Sequence, residues 1–204
     1  MTQSPKFWDR MAKRYIASPI GDTAAYEHKL ALTRNHLRPD MDVLEIGCGS
    51  GNTGRLHAPL VKSYRAIDLS PRMIELGRAA APVPDNMTME AANFDEIDIA
   101  PASVDAVLAL SVLHLVPDPA ATIAKVRKCL KPGGIFVTST ACLKSMWPLR
   151  LLAPIGRATG LIPPLALFSE HELRAMMAAA GFEIVEDWQA RKGAALFLIG
   201  RVAD

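Results

Sequence analysis

Val43 to Gly54, VLEIGCGSGNTG, is the stretch that most narrows what this chain can become. Val43, Leu44 and Ile46 have the apolar density of a short buried parallel strand, and the glycines behind them stop it. Gly47, Gly49 and Gly51 leave no Cβ in the loop, so a ligand can lie against bare backbone. Asn52 to His57 then read as the first turns of a helix. A strand, a glycine turn and a helix start together make the nucleotide-binding corner of a doubly wound α/β domain.

Gly49, Gly51 and Gly54 satisfy the dinucleotide pattern G-x-G-x-x-G, which is weak by itself. The surroundings point elsewhere. The glycine run starts earlier, at Gly47, and Glu45 stands two positions before it. A carboxylate beside the pocket suits a ligand carrying a positive amine or sulfonium better than a pyrophosphate. Downstream, AIDLSPRMIELGR ends a second strand in Asp68, where a carboxylate can accept ribose hydroxyls.

Four ordered motifs now stand on the chain: E-x-G-x-G-x-G from Glu45, I-D-x-S-x-x-M from Ile67, V-D-A-V with L-H-L between Val104 and Leu115, and L-K-P-G-G from Leu130. As a set they resemble the class I S-adenosylmethionine-dependent methyltransferases, in the small-molecule branch that includes the ubiquinone and menaquinone enzymes. The likeness covers Met41 to Thr140 best and is looser towards both ends.

Composition bounds the remaining choices. The 204 residues are half hydrophobic and 22% charged, as in an ordinary globule with a full core, and point to a single domain over 1–204. A net charge of +2 gives no basis for a nucleic-acid partner. Cys48, Cys129 and Cys142 have no metal spacing, so no metal is expected, and free thiols suit a reducing compartment. No basic-then-apolar start resembles a signal peptide. The most apolar stretch, Leu149 to Phe168, is broken by arginines, glycines and prolines, so a cytoplasmic protein is expected.

Helices are expected from Ser4-Pro5 onward, over Thr23 to His36, after Ser70-Pro71, over Pro119 to Leu130, and over Ser169 to Ala180 with Gly181 past its end. Strands are expected at Met41–Ile46, Tyr64–Asp68, Thr88–Ala92, Val104–Leu110, Ile135–Thr140, Phe182–Asp187 and Ala194–Arg201. Strand and helix alternate through the middle, which calls for a parallel sheet. Trp188 to Gly193 is too short for a crossover helix, so the last two strands form an antiparallel hairpin. The resemblance implies the same α/β architecture: a doubly wound, Rossmann-like, mostly parallel seven-stranded sheet with helices on both faces.

The resemblance also assigns roles. S-adenosylmethionine is the implied cofactor. Gly47 and Gly49 admit its methionine part, and Glu45 binds its ammonium directly or through a water. Asp68 takes the ribose hydroxyls, Leu69 and Met73 pack on adenine, and Leu110 and Ser111 line the far side. Asn93, followed by Phe94, stands where relatives carry an acidic residue for the adenine amine, with Asp95 as competitor. Residues 1–37 form a helical lid in which Trp8, Ala12 and Tyr15 match W-x-x-x-A-x-x-Y, and Tyr15 touches ligand. The same amphipathic helix can also simply pack, or rest weakly on an anionic membrane surface. His114 is the candidate base, weighed against a structural role; His28, His36 and His57 are expected on helices as surface or satisfied histidines. The insert at 141–168 covers the acceptor, with Trp147 in an apolar wall and Arg150 holding an anionic head group. The partner is a small-molecule acceptor; the attacking atom and the oligomeric state are left open. A non-catalytic cofactor-binding module and an NAD-dependent oxidoreductase are the competing readings.

Overall fold

The computed structural model describes residues 5–145, 163 and 165–203. Seven strands form one sheet in the order β3-β2-β1-β4-β5-β7-β6. They are β1 (Asp42–Ile46), β2 (Ser63–Asp68), β3 (Met87–Ala91), β4 (Val104–Leu110), β5 (Leu130–Thr140), β6 (Phe182–Trp188) and β7 (Leu196–Val202). β1 to β5 pair in parallel, and β7 inserts antiparallel between β5 and β6. The helices are α1 (Lys6–Ala17), α2 (Thr23–Arg34), α3 (Asn52–His57), α4 (Pro71–Ala80), α5 (Pro119–Cys129) and α6 (Glu170–Ala179).

Side chains alternate across the sheet with the period of two that a strand imposes. Leu44, Val107, Phe136 and Leu198 point to one face, where Ile123 and Val126 of α5 and Leu173 and Met177 of α6 bury them. Val43, Leu108, Val137 and Phe197 point to the other, under Ala58, Ile74 of α4 and Leu32 of α2. Both faces are covered, which is why the central strands carry nearly continuous apolar runs. Glu45 shares the parity of Val43, so the backbone itself drives this carboxyl inward beneath α3.

Several boundaries move, each for a local reason. β3 begins at Met87, one residue early, because Asn86 donates its side-chain amide to the carbonyls of Ala58 and Val61 and its own carbonyl accepts from Tyr64 N–H. β5 begins at Leu130: Leu130 pairs with Val104, and the Pro-Gly-Gly run is absorbed as a bulge before Ile135 meets Ala106. α2 stops at Arg34, two residues short of His36, whose N–H turns back to Thr33. α6 opens with a full capping box between Ser169 and Glu172.

α1 departs most from expectation. Ser4, its expected cap, lies outside the described residues, and Pro5 offers no side-chain cap. Asp9 accepts from Ser70 Oγ at 2.5 Å and from Arg72 N–H at 3.2 Å. The helix is thereby fastened to the start of α4, where a carboxylate also meets the positive end of the helix dipole. Among the described residues no helix is long and apolar enough to cross a membrane, and no group of His, Cys, Asp and Glu could hold a metal ion.

Candidate functional site

The carboxyl ends of β1, β2, β4 and β5 open into two adjoining cavities of about 420 and 330 Å³. Tyr15, Gly47, Gly49, Leu110 and Ser111 line both, so the two meet over the tip of β4. Glu45, Lys29, His57 and Ser139 belong to the larger one; Trp8, Asp68, Leu69, Met73 and His114 belong to the smaller.

The glycine loop is shaped for close approach. Gly47 has φ +65°, and a Cβ there would stand 2.4 Å from Val112 Cγ2, so neither the conformation nor the space admits a side chain. Gly49, at φ +57°, lies under the ring of Tyr15. Asp68 braces this loop: one carboxyl oxygen accepts from Gly49 N–H at 2.9 Å and the other from Ser70 N–H at 2.8 Å. Burial pushes its carboxyl above the ordinary value in spite of those two donors. Each oxygen keeps a lone pair for a ligand hydroxyl in the smaller cavity.

Glu45 is 2% exposed and accepts one hydrogen bond, from Tyr64 OH at 2.9 Å. Burial pushes it up to about 8, while the Tyr64 hydroxyl works the other way. Gly54 makes the room, since a Cβ there would come within 3.1 Å of the carboxyl. A buried acid without a cation is held near neutrality; a positive group entering the larger cavity would ionise it.

At the tip of β4, Ser111 holds φ +63°, a left-handed conformation uncommon for a residue with a side chain. Its N–H donates to Ser139 O at 2.7 Å, tying β4 to β5 where the two cavities join. Strain of this kind gathers where a ligand site over-determines the backbone. His114 lies two residues beyond the cavity-lining Val112. Its Nδ1 is buried and has no partner among the described residues, and burial lowers its pKa, which favours the neutral imidazole.

The cleft therefore gathers Tyr15, Glu45, Gly47, Gly49, Asp68, Leu69, Met73, Leu110, Ser111 and His114. It does not gather Asn93 or Phe94. The Asn93 side-chain oxygen accepts from Asp95 N–H at 3.1 Å, closing its own turn, and Phe94 is a core residue with Lys125 over its ring. Trp147 and Arg150, with most of the 141–168 insert, lie outside the described residues.

Two histidines behave as expected: His28 stacks on Trp188 and His36 meets Glu186 at 3.2 Å. His57 does not. It is fully buried, lines the larger cavity, and neither ring nitrogen has a hydrogen-bond partner among the described residues. Burial and the charge of Arg34 lower it to about 4. Lys29 and Ser139 were also missed. The signal was present in α2, where Lys29 shares a stripe with Tyr26, Leu30 and Thr33, but a lone lysine on a helix usually reaches water.

Comparison with known proteins gives a consistent picture. A family model described as a methyltransferase domain matches residues 16–187. The probable S-adenosylmethionine-dependent methyltransferase of Mycolicibacterium smegmatis is 31% identical over 160 residues, covering 76% of this chain and 57% of that protein. The demethylmenaquinone methyltransferase of Symbiobacterium thermophilum is 27% identical over 74% of this chain and 62% of its own length. The match thus spans little more than half of these relatives. Among solved structures, an S-adenosylmethionine-dependent methyltransferase from Mesorhizobium loti superposes with a TM-score of 0.70 at 22% identity, over 84% of this chain and 96% of that one.

Proposed function

Because the chain belongs to the methyltransferase-domain family, with the class I S-adenosylmethionine-dependent fold, we propose that it transfers a methyl group from S-adenosylmethionine to a small, hydrophobic or amphiphilic acceptor. The observation that carries this reading is the pair of carboxyls on either side of the glycine loop, Glu45 in one cavity and Asp68 in the other. A diphosphate supplies no cation to ionise Glu45, whereas a ligand ammonium does. The residues suit the proposed donor: a buried acid with no cation partner among the described residues for the ammonium, a cradle at Gly47 that a Cβ would fill, and a braced acceptor at Asp68 for the ribose. When bound, that donor supplies an electrophilic methyl on a cationic sulfur.

The protein's part is then to bind, orient and exclude water. Gly47 and Gly49 give the backbone contact, Leu69 and Met73 the apolar wall, and Tyr15 covers the junction of the cavities from α1. The acceptor's attacking atom enters at Leu110 and Ser111, the β4-tip residues among those common to both spaces. His114, whose Nδ1 has no partner among the described residues and whose burial favours the neutral imidazole, is the group available to take a proton from an acceptor that reaches the junction of the cavities. One relative is named for demethylmenaquinone, a small molecule, which supports the acceptor class.

Calorimetric titration tests the reading. S-adenosylhomocysteine is expected to bind and NADH is not. Binding of NADH alone would overturn it. A protein that binds S-adenosylhomocysteine but shows no turnover on any quinol, phenol or fatty acceptor would favour the non-catalytic module.

A further inference from the structure

We propose that Lys29 binds an anionic oxygen, a carboxylate or phenolate, of the methyl acceptor at the β5 end of the larger cavity. This deepens the function proposed above and rests on its placement of the donor.

Lys29 lines that cavity and is half-buried. Its Nζ donates to Ser139 Oγ at 2.9 Å, and among the described residues this is its only hydrogen-bond partner, with no carboxylate within 4.0 Å. An ammonium carries three donors, so two remain for whatever enters. Leaving a cation in such a place is costly unless a counter-ion arrives. The side chain is also aimed. Leu30 and Thr33, each 2% exposed, fix the inward face of α2, and Tyr26 OH meets Thr53 Oγ1 at 3.2 Å to hold α2 against α3.

Sheet geometry separates this ammonium from the donor's own carboxylate. Lys29 is held at β5, and Glu45 stands on β1 with β4 between them. Two strand spacings put β5 roughly 10 Å from β1. Ser139 pairs with Leu110, whereas Glu45 pairs with Leu108, so Ser139 is also two residues nearer the carboxyl ends. The larger cavity therefore has an acidic pole under the glycine loop and a basic pole across β4. A short amino-acid chain anchored at Glu45 fills the first and leaves the second to the acceptor.

The test uses the protein with saturating S-adenosylhomocysteine, titrated with benzoate, phenylacetate and cyclohexanecarboxylate and with the three matching primary amides. The carboxylates are expected to bind about tenfold or more tighter than their amides, the range of one charge-assisted contact, and to shift the Ser139 amide resonance. Lys29→Met should remove that preference, Lys29→Arg should retain most of it, and neither should change S-adenosylhomocysteine affinity. The proposal fails if no carboxylate binds, if amides bind equally well, if the Ser139 resonance does not respond, or if folded K29M keeps the preference. It fails too if K29M weakens S-adenosylhomocysteine, since Lys29 then serves the donor. Should K29M not fold, the wild-type comparison and K29R decide. Absence of S-adenosylhomocysteine binding to the wild type would overturn the donor reading instead, and the carboxylate titration repeated without it would still judge Lys29.

Discussion

Glu45 has no cation within ion-pair distance among the described residues, yet it faces a cavity. With its carboxyl held at about 8, most molecules carry it protonated at pH 7. Binding a ligand ammonium must therefore release a proton near neutrality, and affinity should rise with pH through that value. Titrations of S-adenosylhomocysteine in buffers of different ionisation enthalpy should show this release, and Glu45→Gln should abolish it. Asp68→Ala removes the charged acceptor and the brace on Gly49 together, so affinity should fall by about 1.5–3 kcal/mol in the same calorimeter. Gly47→Ala meets both an unfavourable φ and Val112, so donor binding should be lost while the far sheet edge keeps its hydrogen-exchange protection.

At the scale of elements, α1 rests chiefly on α4. Ala12 is its only fully buried side chain, and Asp9 supplies the tie to Ser70 and Arg72. Asp9→Ala should loosen α1, seen as faster amide exchange over Lys6–Ala17, and weaken donor binding through loss of Tyr15. Ser169→Ala, which removes a capping box that lines neither cavity, should cost about 0.5–2 kcal/mol of stability and leave donor binding untouched. The contrast between these helices explains what the sequence revealed. Strand parity, the glycine loop, Asp68 and the α6 cap are local patterns, and each stands where periodicity put it. Lys29 and His57 acquire meaning only when α2 and α3 fold over the ends of β5 and β1, a long-range fact invisible in a helical stripe. Asn93 closes its own turn on Asp95 N–H and lines neither cavity, a choice between a local and a long-range contact that the residue pattern does not decide.

For the whole molecule, two buried titratable groups oppose each other in pH. The Glu45 pKa is raised above the ordinary 4.5, so its contribution is present below that value and is lost as pH rises through about 8. The His57 pKa is depressed from 6.5, so its contribution is present above 6.5 and is lost as pH falls through about 4. Thermal midpoints should peak between these limits. Glu45→Gln should flatten the alkaline limb and His57→Asn the acid one. None of this chemistry reaches the other edge of the sheet. β6 supplies no residue to either cavity, and the turn at Lys192 and Gly193 is exposed, with nothing near Gly193. Because Leu196 pairs with Thr140, that turn stands at the carboxyl-end side of β5, and Arg191 reaches Asp22 at 3.4 Å, beside the cavity-lining Gly21: a fluorescent reporter inserted there would ride on the rigid sheet next to the α2 wall and sense when the larger cavity fills.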